Sequence, residues 1–230
     1  MTITKRLSAI ALTLIMLVSF IPMTVFAAGK SGWEQSGDYW YYYQNDQMLK
    51  KTWLYWQKNW YFFDTNGQMI SNMNYYDEVS KKVYFFEKSG ALTKKTGWVS
   101  HKYVSSYKAW SYVKKGGICK TGWKKIGGKW YYFNYQGYMN DLPTTTVDGI
   151  VYAFNNSGTL VTKTGWVSIK YYEKTYWFYV KKGGICTIGW KKVGGKWYYF
   201  QDYGPMLSDG TYKIDGKDYV FDKNGVCLNP

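Results

Sequence analysis

Apolar and polar positions alternate along this chain in short bursts that restart at a near-constant interval. A typical burst opens on a Trp, runs through a short strand, turns at a pair of small or polar residues and returns through an aromatic run. Residues 123–133 (WKKIGGKWYYF) and 190–200 (WKKVGGKWYYF) lie 67 residues apart and differ at one position. Period-two alternation closed by a tight turn predicts a β-hairpin. Gly127-Gly128, Asp148-Gly149, Gly194-Gly195 and Asp215-Gly216 are two-residue loops that need positive φ at their centre. A single hairpin is marginal in water, so a hairpin that recurs must bury its faces against its neighbours. The pattern therefore predicts an all-β chain, a solenoid of about nine stacked hairpins.

One position indexes the repeat. Two residues after the Gly that closes each unit stands a bulky apolar residue: Met48 (where Asp46 replaces the Gly), Met69, Leu92, Cys119, Met139, Leu160, Cys186, Met206 and Cys227. From Met69 to Met206 the slot runs Met, Leu, Cys, Met, Leu, Cys, Met, so the longer period is a triplet of hairpins about 67 residues long. All three cysteines occupy this slot. Equivalent slots several hairpins apart do not approach within the roughly 4.4–6.8 Å that a disulfide needs. The cysteines are read as small buried hydrophobes. The units opening at Trp98 and Trp166 have longer tips, around residues 101–109 and 169–176.

The first 27 residues follow another rule. Lys5 and Arg6 precede an apolar run over about residues 7–21, and Val25-Phe26-Ala27 supplies small residues before a cut after Ala27. This reads as a secretory signal peptide over 1–27, leaving 28–230 as the repeat array. An uncleaved anchor is the rival, but the run is short for a span of roughly 20 residues. No stable membrane insertion is expected after cleavage.

Composition sharpens the functional reading. Aromatics make up 22% of the chain, with 26 Tyr and 13 Trp, more than a simple core consumes. Aromatic faces are expected to be the working surface. The net charge is +15, or +13 without the leader, and Arg6 is the only Arg. A Lys surface attracts polyanions such as teichoic acids or membrane surfaces, but it lacks the planar fork that reads guanine, so nucleic acid is not expected as a partner. The one histidine, His101, is expected to be solvated in a hairpin tip, and no Ser-His-Asp set, HExxH or CxxC motif is present. Asp64, Asp148, Asp215 and Asp222 lie at turns, where Asp serves the backbone. Neither catalysis nor a cofactor or metal is expected.

The Thr-Gly-Trp elements at 121–123 and 164–166, the Trp-Tyr-Tyr-Phe runs at 130–133 and 197–200 and the following Gly-x-Met resemble the cell-wall-binding repeats of Gram-positive bacteria. These are best known as choline-binding repeats and are related to glucan-binding and clostridial toxin repeats. The resemblance covers about residues 31–230. It implies ligand sites between consecutive hairpins, where an opening Trp joins two aromatics of the preceding hairpin around a quaternary ammonium. Carried over, it implies boxes at Trp40, Tyr42 and Trp53; at Trp110, Tyr112 and Trp123; and at Trp177, Tyr179 and Trp190. Trp197, Tyr199 and Tyr212 make a fourth, with Tyr in place of the last Trp. The junctions at Trp60 with Met73, Trp130 with Thr146, Val83 with Trp98 and Val151 with Trp166 depart from the pattern. The expectation is a secreted, wall-associated, non-catalytic binder of choline-bearing teichoic acid. Two alternatives stay open: a glucan or glycan binder using the same seams, and an accessory module of a wall hydrolase.

Overall fold

The computed structural model describes residues 29–104 and 107–230; the leader assigned to residues 1–27 lies outside the described residues. Every regular element described is a strand, and nine antiparallel hairpins follow one another. Hairpins 1 to 3 pair Gly32–Ser36 with Tyr39–Gln44, Thr52–Trp56 with Asn59–Phe63, and Met73–Asp77 with Lys82–Phe86. Hairpins 4 to 6 pair Gly97–Val104 with Tyr107–Lys114, Gly122–Ile126 with Lys129–Phe133, and Thr144–Val147 with Ile150–Ala153. Hairpins 7 to 9 pair Gly165–Tyr171 with Lys174–Lys181, Gly189–Val193 with Lys196–Phe200, and Gly210–Ile214 with Lys217–Phe221.

The turns have the geometry that the sequence demands. Gly127 and Gly128 have φ of 55° and 79°, and Asp148 and Gly149 have 48° and 77°. Two successive positive φ values form the type I′ turn, whose twist matches the strands it joins. Hairpins 4 and 7 differ by extending into strands of seven or eight residues, as their longer tips predict.

Stacking runs through the slot residues. The Gly two places before each slot has positive φ and lies on the slot side chain of the preceding hairpin. A Cβ built at Gly90 would sit 2.3 Å from Met69 Sδ, and one at Gly184 would sit 2.5 Å from Leu160 Cδ1. The slot amide then reaches back across the junction: Met69 N–H donates to Trp40 C=O at 2.8 Å and Met139 N–H to Trp110 C=O at 2.8 Å. The fourth residue of each aromatic run completes the core, with Phe63, Phe86, Phe133, Phe154 and Phe200 wholly buried. Full burial of each is worth about 1.5–3 kcal/mol. Cys119, Cys186 and Cys227 are free and buried in their slots. Burial pushes the Cys119 and Cys186 thiols up to about 12.

Junctions are of two kinds. Hairpins 3 and 4 merge into one five-stranded sheet through the short strand Ile118–Cys119, and hairpins 6 and 7 do the same through Ile185–Cys186. The other six junctions have no continuous ladder, and aromatic rings fill them.

Gly90→Ala is expected to destabilise the chain by about 2–5 kcal/mol. The left-handed backbone costs an L-residue about 1–2 kcal/mol, and overpacking against Met69 adds about 1–3 kcal/mol. Gly127→Ala, with positive φ but nothing within 4 Å of its Cβ, should show only the first cost, about 1–2 kcal/mol. Urea midpoints of the two variants measure the difference.

Candidate functional site

Cross-strand register decides which rings meet. In hairpin 5 the two-residue turn pairs Ile126 with Lys129, which sets Trp123 opposite Tyr132 and Lys125 opposite Trp130. The opening Trp and the first and third residues of the aromatic run thus share one face of the same hairpin. The second and fourth residues of the run face the other way, onto the preceding hairpin.

Six seams are built on this plan, with opening indoles Trp33, Trp53, Trp98, Trp123, Trp166 and Trp190. Each opening indole meets the first indole of its own second strand edge-on. These partners are Trp40, Trp60, Trp110, Trp130, Trp177 and Trp197, at 6.3–6.5 Å and 78–89°. Each also meets a Tyr of the next hairpin, respectively Tyr61, Tyr84, Tyr131, Tyr152, Tyr198 and Tyr219, at 4.7–5.0 Å. T-shaped pairs of this kind are worth about 0.5–1.5 kcal/mol beyond area burial. The opening indole is half-buried, while the six partner indoles stay 36–46% exposed.

Each sequence-predicted box residue is therefore in a seam, but the grouping differs from expectation. Trp40 and Tyr42 gather around Trp33, not Trp53. Trp53 faces Trp60, Phe62, Tyr84 and Phe86. Likewise Trp110 and Tyr112 surround Trp98, and Trp177 and Tyr179 surround Trp166. Trp123 and Trp190 belong with Trp130 and Tyr132, and with Trp197 and Tyr199. Tyr212 stands opposite Tyr219 in hairpin 9 and donates its hydroxyl to Ser208 C=O at 2.8 Å. The three full sets each drew their last Trp from one hairpin too far along, because the opening Trp turns its face toward the hairpin after it, whereas Tyr212 packs into one cluster with Tyr199. The junctions set aside in sequence at Trp60 and Trp130 are full seams. Trp98 and Trp166 look forward to Tyr131 and Tyr198, not back to Val83 and Val151. The five Tyr residues Tyr61, Tyr84, Tyr131, Tyr152 and Tyr198, and Tyr219 with them, were missed. Their signal was the register set by each hairpin turn.

Three seams open into pockets, each with a slot Met in its wall. Trp33, Trp40, Trp56, Tyr61, Met69 and Ser89 line about 340 Å³. Trp98, Trp110, Tyr131 and Met139 line about 610 Å³ with Lys108, Asp141, Asn156 and Ser157 at the rim. Trp166, Trp177, Tyr198 and Met206 line about 220 Å³ with Lys223 and Asn224. The polar rim residues Ser89, Ser157 and Asn224 each precede the closing Gly of the hairpin two units further on. Each pocket is thus assembled from three successive hairpins. The exposed faces already attract cations: Lys108 Nζ lies 4.4 Å from the centre of the Trp110 ring, and Lys191 Nζ lies 4.6 Å from that of Tyr179.

His101 is not the solvated tip residue that the sequence suggests. It lies on the first strand of hairpin 4, only 5% exposed, packed against Phe85 and Tyr138. Two elements remote in sequence cover it. Burial lowers its pKa below the usual histidine value. No group of three or more His, Cys, Asp or Glu that could hold a metal ion occurs among the described residues, and no helix among them is long and apolar enough to cross a membrane.

A model of the cell wall binding repeat matches residues 51–69, 121–139 and 188–206. These are the strands and closing slots of hairpins 2, 5 and 8. Glucosyltransferase-S of Streptococcus mutans serotype c is 25% identical over 178 residues, which is 69% of this chain and 12% of the relative. The chain thus spans about an eighth of the length of that curated relative. Choline binding protein F from Streptococcus pneumoniae is 20% identical, with 87% of this chain and 94% of that chain covered and a TM-score of 0.38. The modular autolysin LytC from Streptococcus pneumoniae is 26% identical, with 86% and 47% covered and a TM-score of 0.37.

The His101 environment carries a pH signature. The folded chain holds the imidazole neutral, whereas the unfolded chain takes up a proton near the free value of about 6.5. The stability tied to this group is complete above about pH 6.5 and is lost as pH falls from there through the lowered folded value. Urea midpoints should drop between pH 7.5 and pH 5, and His101→Phe should remove that part of the drop. An identical pH dependence in the variant would contradict the assignment.

Proposed function

We propose that this chain, three segments of which match the cell wall binding repeat, is a secreted, non-catalytic protein that attaches to the bacterial surface through choline-type groups on teichoic acid. The observation that carries this reading is the repeated seam: a half-buried indole, a second indole at right angles that stays 36–46% exposed, and a Tyr from the next hairpin. Such a three-sided aromatic corner attracts a cation to its ring faces and buries methyl groups against them. A quaternary ammonium offers both features. The pocket at Trp33 has no charged residue in its lining, so nothing there repels the ligand. Six seams on one stacked array convert weak single contacts into avidity.

A carbohydrate reading uses the same rings and rests on a separate feature. The Ser, Asn and Lys side chains at the rims of the pockets can hydrogen-bond the hydroxyls of a sugar stacked on an indole. A relative that is a glucosyltransferase favours a glucose-based sugar for this reading.

Titration with choline, followed by Trp fluorescence, separates the two. The choline reading expects saturable quenching that glucan oligosaccharides do not compete away. Trp40→Ala, Trp110→Ala and Trp177→Ala should each remove one site and leave the urea midpoint within about 1–2 kcal/mol of the parent, since these indoles are only partly buried. Three variants that titrate with the parent's stoichiometry would refute the seam as the ligand site. Competition by glucan alone would transfer it to sugar.

A further inference from the structure

The junction between hairpins 3 and 4 has no aromatic corner, yet it holds a recess of about 330 Å³. Four lysines surround it: Lys81 and Lys82 from the turn and second strand of hairpin 3, Lys114 from the end of hairpin 4, and Lys120 just beyond the Cys119 slot. No carboxylate lines it. None of the four lysines is in an ion pair among the described residues, and the pairs found there use Lys30, Lys51, Lys95 and Lys213. Asp77, opposite Lys82 in the hairpin, accepts instead from the amides of Val79 and Ser80, and Glu78 faces Lys51. Lys120 is half-buried, and its pKa is lowered first by burial and then by Lys114 and Lys124.

Packing does not require this charge. The junction between hairpins 6 and 7 has the same backbone plan: Ile185 pairs with Tyr152 as Ile118 pairs with Tyr84, and Thr187 N–H donates to Tyr179 C=O as Lys120 N–H does to Tyr112 C=O. At the positions of Lys81, Lys82, Lys114 and Lys120 it carries Gly149, Ile150, Lys181 and Thr187. One lysine suffices there. Four like charges converging on a concave recess disfavour one another, and a bound anion relieves that repulsion.

We propose that the hairpin 3–4 junction is an anion site that holds the phosphodiester groups of a wall polymer between Lys81, Lys82, Lys114 and Lys120. Lysine ammonium groups act as point charges on phosphate without demanding a fixed bidentate geometry, which suits a flexible polymer. A recess admits a single chain, whereas a bilayer presents its headgroups in a plane. Tyr76 and the 79% exposed Tyr135 flank the opening and offer rings and hydroxyls to the polyol between phosphates. Only the identity of the polymer rests on the wall-attachment reading; the anion site stands on the lysines.

The test is binding of a glycerol phosphate polymer to the full chain across a salt series, with choline saturating so that the aromatic seams are occupied. A Lys82→Gln/Lys120→Gln variant is compared with Lys181→Gln/Lys182→Gln, which loses the same charge at the sister junction. The first variant should reduce the slope of log K against log salt by about 1.4, at about 0.7 per lysine removed as for a single-stranded polyanion. The second should leave the slope unchanged, and inorganic phosphate should compete with the parent's binding. Equal losses in both variants, or no loss in the first, would overturn the site. Phosphatidylglycerol vesicles binding more tightly than the polymer, through the same lysines, would overturn the polymer. Choline titration without polymer reports on the seams separately, so a failed aromatic reading and a failed lysine site give different results.

Discussion

Everything in this array depends on bare glycine backbone placed against the slot side chain of the hairpin before it. Gly67 on Met48, Gly90 on Met69, Gly117 on Leu92 and Gly158 on Met139 repeat one contact. Positive φ turns the chain there, and the missing Cβ lets two hairpins approach to van der Waals distance. Only at that distance can the next slot amide reach the carbonyl of Trp40, Trp60, Trp110 or Trp130. That bond fixes the seam width, and the seam width places each Tyr 4.7–5.0 Å from the opening indole. A side chain at the glycine would shift the rings before it touched any ligand.

The triplet period follows from two ways of joining hairpins. Where a Trp opens the hairpin, the junction is closed by rings and a backbone bond. After hairpins 3 and 6, whose first strands have Asn74 and Thr144 in place of the opening Trp, the following short strand continues the ladder and forms a five-stranded sheet. The sheet junctions need no aromatic fill. They supply rigidity between pairs of open seams, and at hairpins 3 and 4 they leave a polar recess. Division of labour between sheet joints and ring-filled joints holds the aromatic faces at fixed mutual positions, which is the condition for avidity if the proposed sites are used together.

Much of this was legible in the chain. The slot series, the Gly-Gly and Asp-Gly turns and the fate of the cysteines follow from spacing alone. The grouping of the rings was legible too, since Ile126 opposite Lys129 forces Trp123 opposite Tyr132, but resemblance suggested the Trp of the next hairpin instead. His101 was not legible. Its burial depends on Phe85 and Tyr138, which come from the hairpin before and the loop after the one that follows. The lysine recess was hidden for the same reason: Lys82 and Lys120 are 38 positions apart in sequence, and only the sheet junction brings them to one opening.

Aromatic packing alone does not account for the six partner indoles. An indole that serves only as fill gains most when both faces are covered, and the wholly buried Phe63, Phe133 and Phe200 beside these seams do that work. Trp40, Trp60, Trp110, Trp130, Trp177 and Trp197 instead meet their opening indoles edge-on and leave 36–46% of their area wet. At about 25 cal/mol per Å², the wet area is stabilisation the fold leaves unused, six times over and in the same orientation. A smaller apolar side chain would fill the edge contact with less exposure. What the indole adds is an accessible π face beside a second ring at right angles, and the proposed ligand would give that face a use.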